Sequence, residues 1–313
     1  MRRQLGIGSA WERTRGALTA QTLVSRRQLA IAAAGAAGLM ALGRSREKTA
    51  ARAASGRVQT VHENMLIYYG ADHSTVDPRY SLIVLDDHGT ATIAPFRYDS
   101  SVILCYLSLL EVHATRPYFA QLRASGVLGG SNPNWPDAYF VDAREHRFHA
   151  LVLEELIPRM IARGYSGIFL DTVDSAEFLE TTQAESYSGI LQATANLIAA
   201  IRREHPSMLV MINRGYAVLP RIPGQFDYLL GESVHSTFGP NGTYRRMSAE
   251  DLQWQLAHMH AARARDPKLQ LFSLDYWDAR DAEGLKALYA QARGNGLVPY
   301  VATPDLTRIV PEP

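Results

Sequence analysis

Two acidic residues stand at the ends of apolar runs, where a carboxylate is costly to bury. Asp171 follows "GIFL" in residues 167–174, and Glu232 follows "YLLG" in residues 227–233. A charged group in such a position must be solvated or paired. Two carboxyl groups that face each other across a cleft can break a glycosidic bond, because one protonates the leaving oxygen while the other attacks the anomeric carbon or activates water. Asp171 and Glu232 are therefore the two acids for which a purely structural role is least favoured.

Other polar residues stand at or near the ends of further apolar runs, where they could bind a substrate. Asp and Ser often cap the helix or turn after a strand, so any one of these acids could have only a structural role. Carboxylates nevertheless close five of the eight runs, which favours a shared site. Aromatic residues near the same ends, including Trp135 and Trp277, could stack on sugar rings. The candidate substrate-binding residues are Tyr69, Asp86, Tyr106, Glu111, Asp174, Asn213, Asp275 and Tyr276.

Eight apolar runs predict the strands that position these residues. Most are apolar at consecutive positions, which is typical of parallel strands covered on both faces. They span residues 65–70, 81–86, 102–109, 167–174, 209–215, 227–233, 269–277 and 297–304. Helical patterns occupy residues 150–164, 189–206, 248–264 and 281–296, and residues 138–148 form an extra strand or loop. The order predicts an α/β fold, a single (β/α)8 TIM barrel with its active site at the carboxyl ends of the strands.

A doubly wound open sheet is the alternative fold. It would bind a dinucleotide through a Gly-x-Gly-x-x-Gly turn after the first strand, and residues 65–80 contain no such motif. No cofactor is therefore expected. The histidines lack the spacing of a metal pair, and His258 and His260 point to different faces of a predicted helix, so no metal site is expected either.

The first 54 residues have the features of an export signal. Arg26 and Arg27 precede an Ala/Gly/Leu stretch at 29–42, and "ARA" at 51–53 resembles a cleavage site. This pattern predicts a twin-arginine signal, with residues 1–54 as signal peptide and flexible leader and residues 55–313 as the exported domain. The stretch is too short to span a bilayer, so no integral membrane span is expected in the mature chain. A disordered basic tail is the alternative interpretation.

Charge and cysteine content restrict the partners of the mature domain. Residues 1–54 hold ten Lys and Arg and two Asp and Glu, which leaves 22 basic and 29 acidic residues, a balance of −7. Such a domain lacks the positive surface that nucleic acid requires and would attract a cationic ligand. Cys105 is the only cysteine, which excludes an internal disulfide, and its apolar neighbours favour a packed thiol.

Four sequence blocks carry a family resemblance. They are "CYLSLLEVH", "RGYSGIFLDTVDS", "LVMINRGYAVLP" and "DYLLGESVHSTF", in this order and with the spacing of barrel strands. Over residues 65–304 the chain resembles glycoside hydrolase family 114, the endo-α-1,4-polygalactosaminidase group of bacterial and fungal polysaccharide hydrolases. The resemblance implies a (β/α)8 hydrolase of α-linked, galactosamine-containing polymers. It also implies a catalytic pair at the fourth and sixth strands, which corresponds to Asp171 and Glu232.

One position departs from the family pattern. The third-strand block of the family usually reads Tyr-Leu-Ser-x-Gly-Glu, and Leu110 occupies the glycine position before Glu111. A leucine there could narrow the approach or re-aim Glu111. By analogy with barrel α-galactosidases, which retain configuration, Asp171 is expected to be the nucleophile and Glu232 the general acid/base. Glu232 should then have a raised pKa.

Two other functions are compatible with the same residues. The first is a non-catalytic exported barrel that binds carbohydrate. The second is an esterase or deacetylase that acts on the same polymer, although the chain contains neither a Gly-x-Ser-x-Gly elbow nor clustered His and Asp ligands.

Overall fold

Eight parallel strands with apolar residues on both faces form the centre of the structure. The computed structural model describes residues 60–76, 79–87, 101–133, 135–239 and 242–313. Each strand pairs in parallel with the next along the chain, so sheet order follows sequence order. The strands are β1 (Met65–Tyr68), β2 (Leu82–Leu85), β3 (Val102–Ser108), β4 (Gly167–Asp171), β5 (Leu209–Asn213), β6 (Tyr228–Glu232), β7 (Gln270–Tyr276) and β8 (Val298–Ala302).

The sheet curves into a nearly closed barrel. Strands β1 and β8 lie next to each other, and just beyond β1 the Tyr69 N–H donates a 2.7 Å hydrogen bond to the carbonyl of Leu306. All eight strands were predicted, with ends up to three residues shorter in the structure. Sequential order and closure are the marks of a (β/α)8 barrel. The nearly closed eight-stranded parallel barrel is consistent with the predicted (β/α)8 fold, and its sequential strand order differs from that of a doubly wound sheet.

Helices connect the strands and cover the outside of the barrel. The four predicted helices are all present, and the first begins earlier, at His146, and contains a π-helical turn at Leu151–Leu156. It ends at Gly164, whose φ of 97° suits glycine. The helices are α1 (Phe119–Ser125), α2 (His146–Ala150), α3 (Ile157–Arg163), α4 (Ser175–Thr182), α5 (Ala184–Tyr187), α6 (Ile190–Glu204), α7 (Ala249–Arg265) and α8 (Ala282–Gly294), with 3-10 turns at His73–Thr75 and Leu219–Arg221.

Two small antiparallel sheets lie outside the barrel. The first, which we call the insert sheet, lies between β3 and β4 and contains Glu111–His113, Leu128–Asn132 and Trp135–Val141. The second pairs Ser236–Phe238 with Tyr244–Arg246. The extra element predicted at residues 138–148 divides between the last insert strand, which ends at Val141, and α2, which begins at His146.

The amino-terminal end of the barrel is covered by His62. Its Nε2 is 3.0 Å from the hydroxyl of Tyr228 at the start of β6, and its backbone N–H donates to Gln270 at the start of β7. The ring is 1% exposed, and this burial lowers the pKa of His62 to about 4. His62 is therefore a neutral imidazole in the folded protein near neutral pH.

Three further predictions concern Cys105, membrane-spanning helices and the leader at residues 1–54. Cys105 is fully buried in β3, as its apolar neighbours predicted, and burial raises the pKa of its thiol. No helix in the described part of the chain is both long and apolar enough to cross a bilayer. The twin-arginine signal and leader predicted for residues 1–54 lie outside the described residues.

Candidate active site

Three neighbouring strands deliver their last residues to one point at the carboxyl end of the barrel. Asp171 ends β4, Asn213 ends β5 and Glu232 ends β6. The Nδ2 of Asn213 donates hydrogen bonds to Asp171 Oδ1 at 2.9 Å and to Glu232 Oε2 at 2.7 Å. Since both oxygens bind the same nitrogen at these distances, they lie no more than about 5.6 Å apart. The structure therefore brings the two candidate catalytic carboxyls together.

A tyrosine holds the second oxygen of each carboxyl group. The hydroxyl of Tyr106 on β3 donates to Asp171 Oδ2 at 2.9 Å, and that of Tyr276 at the end of β7 donates to Glu232 Oε1 at 2.7 Å. Each carboxyl group thus accepts hydrogen bonds at both oxygens, which fixes its plane as well as its position. Strands β3 to β7 all contribute to this arrangement.

Tyr69 and Asp86 take different places around this centre. The ring of Tyr69 meets the ring of Tyr106 edge-on, with centroids 4.9 Å apart. Asp86 instead binds the guanidinium of Arg116 through two hydrogen bonds of 2.7 and 3.0 Å. The guanidinium carbon of Arg116 lies 5.4 Å from the centre of the Tyr106 ring, within cation–π range. Asp86 is therefore joined to Tyr106 only through Arg116, and both oxygens of its carboxylate already accept hydrogen bonds from that guanidinium.

The backbone turns sharply after each of the three strand ends. Thr172, Arg214 and Ser233 directly follow Asp171, Asn213 and Glu232, and their φ angles are 58°, 53° and 53°. Left-handed backbone at non-glycine residues costs about 1–3 kcal/mol each and occurs mainly where the surrounding structure enforces it, often at functional sites. Each of the three site residues is therefore followed directly in the chain by a residue with a strained backbone.

The turn after β4 is tied to the loop after β3. The hydroxyl of Thr172 accepts from the backbone N–H of Leu110 at 3.0 Å and lies 3.0 Å from the hydroxyl of Ser108. Leu110 is fully buried and has no positive φ. The leucine that replaces the usual glycine of the family pattern therefore causes no left-handed strain at this position.

Burial and neighbouring negative charge raise the pKa values of both carboxyl groups. For Asp171 burial is the main cause, and the hydrogen bonds from Asn213 and Tyr106 oppose it. For Glu232 burial is again first, and the negative charge of Asp171 adds to it. The expected rise of the Glu232 pKa is thus present, although the pKa of Asp171 rises as well. Two such groups titrate as a pair, and the charge of one favours the neutral form of the other.

Glu111 and Asp174 lie beside the pair and have their own partners. Both oxygens of Glu111 accept from Asn132 Nδ2 at 3.0 Å, and Oε1 accepts from the Ser175 hydroxyl at 2.6 Å. Glu111 therefore links the insert sheet to α4. Asp174 is 3.6 Å from a guanidinium nitrogen of Arg214 and keeps 38% of its side chain exposed. Of these two acids, Asp174 is the one open to a ligand.

The structure does not bring Asp275 to the catalytic pair. Its carboxylate is 1% exposed and accepts from the backbone N–H groups of His235 and Ser236 and from the ring Nδ1 of His235 at 2.9 Å. Successive residues of a strand point to opposite faces, and Tyr276 takes the face towards Glu232. The expectation that Asp275 contacts substrate is therefore corrected: Asp275 holds the loop after β6 from the other face of the sheet.

The histidines and tryptophans named from the sequence have other contacts. Across the described ranges, no group of three or more His, Cys, Asp or Glu side chains could hold a metal ion. His258 Nδ1 lies 2.8 Å from the Trp254 carbonyl, and His260 Nε2 lies 3.0 Å from the Asn295 carbonyl. The ring of Trp277 lies under the guanidinium of Arg246 at 4.9 Å, and Trp135 begins the last insert strand.

Sequence reasoning missed two groups that shape the site. Arg116 is in a loop without a periodic signal, so nothing in the sequence pairs it with Asp86 or Tyr106. Gln255 did have a signal, because it lies on the apolar stripe of α7 with the buried residues Leu256 and Met259. A polar side chain in such a stripe needs a buried partner.

Comparison with known proteins places the chain in a family. Two uncharacterized proteins are similar to it: one from Thermotoga maritima is 26% identical over 189 residues, 57% of each chain, and one from Deinococcus radiodurans is 23% identical over 214 residues, 66% of each chain. The chain thus matches less than two thirds of the length of these relatives.

Solved structures share the fold. The glycoside hydrolase domain of PelA from Pseudomonas aeruginosa is 25% identical with a TM-score of 0.71, and the match covers 80% of this chain and 98% of that domain. Ega3 from Aspergillus fumigatus, solved in complex with galactosamine, is 15% identical with a TM-score of 0.56, over 80% of this chain and 95% of that one. The model of the glycoside hydrolase family GH114 matches residues 45–312. The chain therefore belongs to glycoside hydrolase family GH114.

Proposed function

We propose that this protein is an endo-acting glycosidase that cleaves α-linked, galactosamine-containing polysaccharide. Membership of GH114 supports the reaction class. The similarity to the glycoside hydrolase domain of PelA, and a fold shared with a protein that binds galactosamine, support the substrate class. A carbohydrate-binding role would not require two carboxyl groups held at a fixed separation, and this arrangement favours catalysis.

One observation carries the proposal: Asp171 and Glu232 bind the same amide nitrogen of Asn213. The bound of about 5.6 Å on their nearest oxygens fits the carboxyl separation of about 5–5.5 Å in retaining glycosidases better than the 6.5–9.5 Å of inverting ones. Asn213 therefore acts as a spacer, and the spacing supports a double-displacement mechanism.

In this mechanism Asp171 attacks the anomeric carbon while Glu232 protonates the glycosidic oxygen. The carbon–oxygen bond to the leaving sugar breaks as the bond to the Asp171 carboxylate forms. Glu232, now ionised, takes a proton from water, and the resulting hydroxide displaces Asp171 from the anomeric carbon. The leaving sugar departs with the first proton, and Glu232 ends protonated again, so the enzyme is regenerated.

The electrostatics of the pair suit this division of roles. Asp171 and Glu232 each accept two hydrogen bonds, which favour the charged form of both groups. What separates the two is that the charge of ionised Asp171 raises the pKa of Glu232. Glu232 is therefore the group that keeps its proton to higher pH, as a general acid must.

The negative charge of the domain favours a cationic polymer as the substrate. The features of the amino-terminal segment favour a location outside the cytoplasm. Asp174 is partly exposed beside the pair, and residues 55–313 carry a balance of −7. Deacetylated galactosamine units are cationic and would be attracted to such a domain. We also propose that residues 1–54 export the protein by the twin-arginine route, which would bring the domain to a polysaccharide that lies outside the cytoplasm.

The experiment is a reducing-end assay of residues 55–313 on a panel of α-linked amino-sugar polymers. Wild type is expected to release new ends from a galactosamine polymer, while Asp171→Asn and Glu232→Gln should each lose at least about a thousandfold of activity. Glu283→Gln, at an exposed glutamate on α8, is the matched control and should keep full activity. Polymer binding without cleavage by wild type would instead favour a binding protein.

A further inference from the structure

Gln255 is a buried polar residue whose contacts all lie behind the active site. It is on α7 and is 2% exposed. Its Oε1 accepts a 3.0 Å hydrogen bond from the hydroxyl of Tyr216. Its Nε2 donates to the Ser233 carbonyl at 2.8 Å and lies 3.4 Å from the Glu232 carbonyl. One amide therefore joins the loop after β5 to the loop after β6.

These two loops follow the strand ends that carry Asn213 and Glu232. Tyr216 comes three residues after Asn213, beyond the left-handed turn at Arg214 and Gly215. Ser233 is itself left-handed, with a φ of 53°. Its N–H donates to the Leu274 carbonyl at 2.8 Å, so the residue whose carbonyl Gln255 binds is tied to β7 as well. Gln255 therefore donates its hydrogen bond to the carbonyl group of Ser233, the residue with the left-handed backbone.

We propose that Gln255 is a positioning residue that sets the distance between Asn213 and Glu232, and through Asn213 the separation of the catalytic pair. This inference rests on the function proposed above for Asp171 and Glu232. A rigid helix supplies the fixed point, and its amide spans both strand ends. Gln255 contacts neither carboxyl group of the pair, so its effect on catalysis is indirect.

Loss of the Gln255 amide should change the position of Glu232 relative to Asn213. Without Nε2 the carbonyl of Ser233 loses its buried donor, and the left-handed turn after Glu232 can relax. The Glu232 carboxyl would then move relative to Asn213 and Tyr276, whose hydrogen bonds lower its pKa. A displacement near 1 Å at a catalytic group can cost about 100-fold in rate.

The test uses the full-length protein with four variants. Gln255→Met keeps the side-chain volume and removes both hydrogen-bonding groups, and Gln255→Glu keeps the shape but replaces the donor with an acceptor. Tyr216→Phe removes one contact and is the mild variant. Gln253→Met, at an exposed glutamine on the same helix, is the matched control. The measurements are kcat, KM, the pH profile, thermal unfolding, and the Glu232 carboxyl titration by 13C NMR.

We expect Gln255→Met to lower kcat about 10- to 100-fold with KM within twofold of wild type. The basic limb of the pH profile and the NMR titration of Glu232 should both move to higher pH. Tyr216→Phe should show the same changes at smaller size, and it carries the test if the Gln255 variants fail to fold. Gln253→Met should match wild type.

A merely structural role would lower the unfolding temperature and leave kcat of the folded protein and the titration of Glu232 unchanged. That result would overturn the inference. The NMR titration needs no turnover, so equal titration in wild type and variants contradicts the inference whether or not any polymer is cleaved. A wild type that cleaves no polymer, with a titration that does shift, would instead contradict the proposed function alone.

Discussion

The hydroxyl of Tyr276 donates a 2.7 Å hydrogen bond to Glu232 Oε1 across neighbouring strands. Tyr106 makes the corresponding bond to Asp171 Oδ2 at 2.9 Å on the other side of the pair. Each bond lowers the pKa of its carboxyl group, against the rise that burial causes. Each phenol thus opposes the effect of burial on one carboxyl group of the coupled pair, and each can be removed by one substitution.

The first prediction concerns Tyr276→Phe. Without the hydroxyl the pKa of Glu232 rises further, so the basic limb of kcat/KM should move to higher pH, and kcat should fall about tenfold as the carboxyl loses its orientation. Tyr106→Phe is the matched variant: it raises the pKa of Asp171 and should move the acidic limb to higher pH. The measurement is kcat/KM from pH 3 to 10. If both variants move the same limb, the assignment of roles is wrong.

The second prediction is that Glu232→Gln stabilises the fold while it removes activity. The folded pKa of Glu232 lies above its unfolded value, so ionisation costs folding free energy. Wild type should lose stability as pH rises from the ordinary glutamate pKa through the raised value. The glutamine variant lacks this loss, so its advantage should be absent below the ordinary glutamate pKa and should grow as pH rises through the raised value.

Thermal unfolding at several pH values measures this difference, and each kcal/mol corresponds to roughly 2–4 °C in a domain of this size. The exposed Glu283→Gln should unfold like wild type throughout. If Glu232→Gln unfolded at the same temperature as wild type at pH 8, the ionised Glu232 carboxyl would not cost folding free energy. That result would contradict the prediction.

The third prediction concerns His62 at the other end of the barrel. Its folded pKa of about 4 lies below the ordinary 6.5, so the stability that depends on the neutral ring is present above pH 6.5 and is lost as pH falls towards 4. The loss is about 3 kcal/mol in full. His62→Gln cannot titrate, and urea unfolding should show its stability relative to wild type improving over this range. A constant difference from pH 7 to pH 4 would contradict the buried neutral ring.

The fourth prediction follows from the charge of the domain. With a balance of −7 in residues 55–313, hydrolysis of a cationic galactosamine polymer should slow as salt rises, because exposed charges are screened within about 10 Å at 0.1 M. KM should rise while kcat stays nearly constant. A fully acetylated polymer is the control and should show little salt dependence. Equal salt dependence of the two polymers would show that the charge does not select the substrate.

The strands, and the meeting of Asp171 and Glu232 at one end of the barrel, could be predicted from the sequence because both have local signals. Consecutive apolar residues mark buried parallel strands, and Asp171 and Glu232 stand where such runs end. Parallel strand ends share one edge of the barrel, so residues far apart in the chain could be assigned to one site without knowledge of their contacts.

The sequence contains no local signal for the face towards which a side chain points at the end of a strand. Asp275 and Tyr276 are adjacent at the end of β7, and only the pleat of the strand decides that Tyr276 meets Glu232 while Asp275 meets His235. The first two strands of the insert sheet were missed because both are short and the second contains Gly and Asn. The left-handed turns were missed because Thr, Arg and Ser rarely adopt that conformation.

The stereochemistry of the first product tests the central claim most directly. Proton NMR during hydrolysis of an α-linked galactosamine oligomer reports which anomer of the new reducing end forms before mutarotation. The shared hydrogen bonds to Asn213 hold the nearest oxygens of Asp171 and Glu232 within about 5.6 Å, so the α-anomer should appear first. Initial release of the β-anomer would require a water between the two carboxyl groups and would contradict the account.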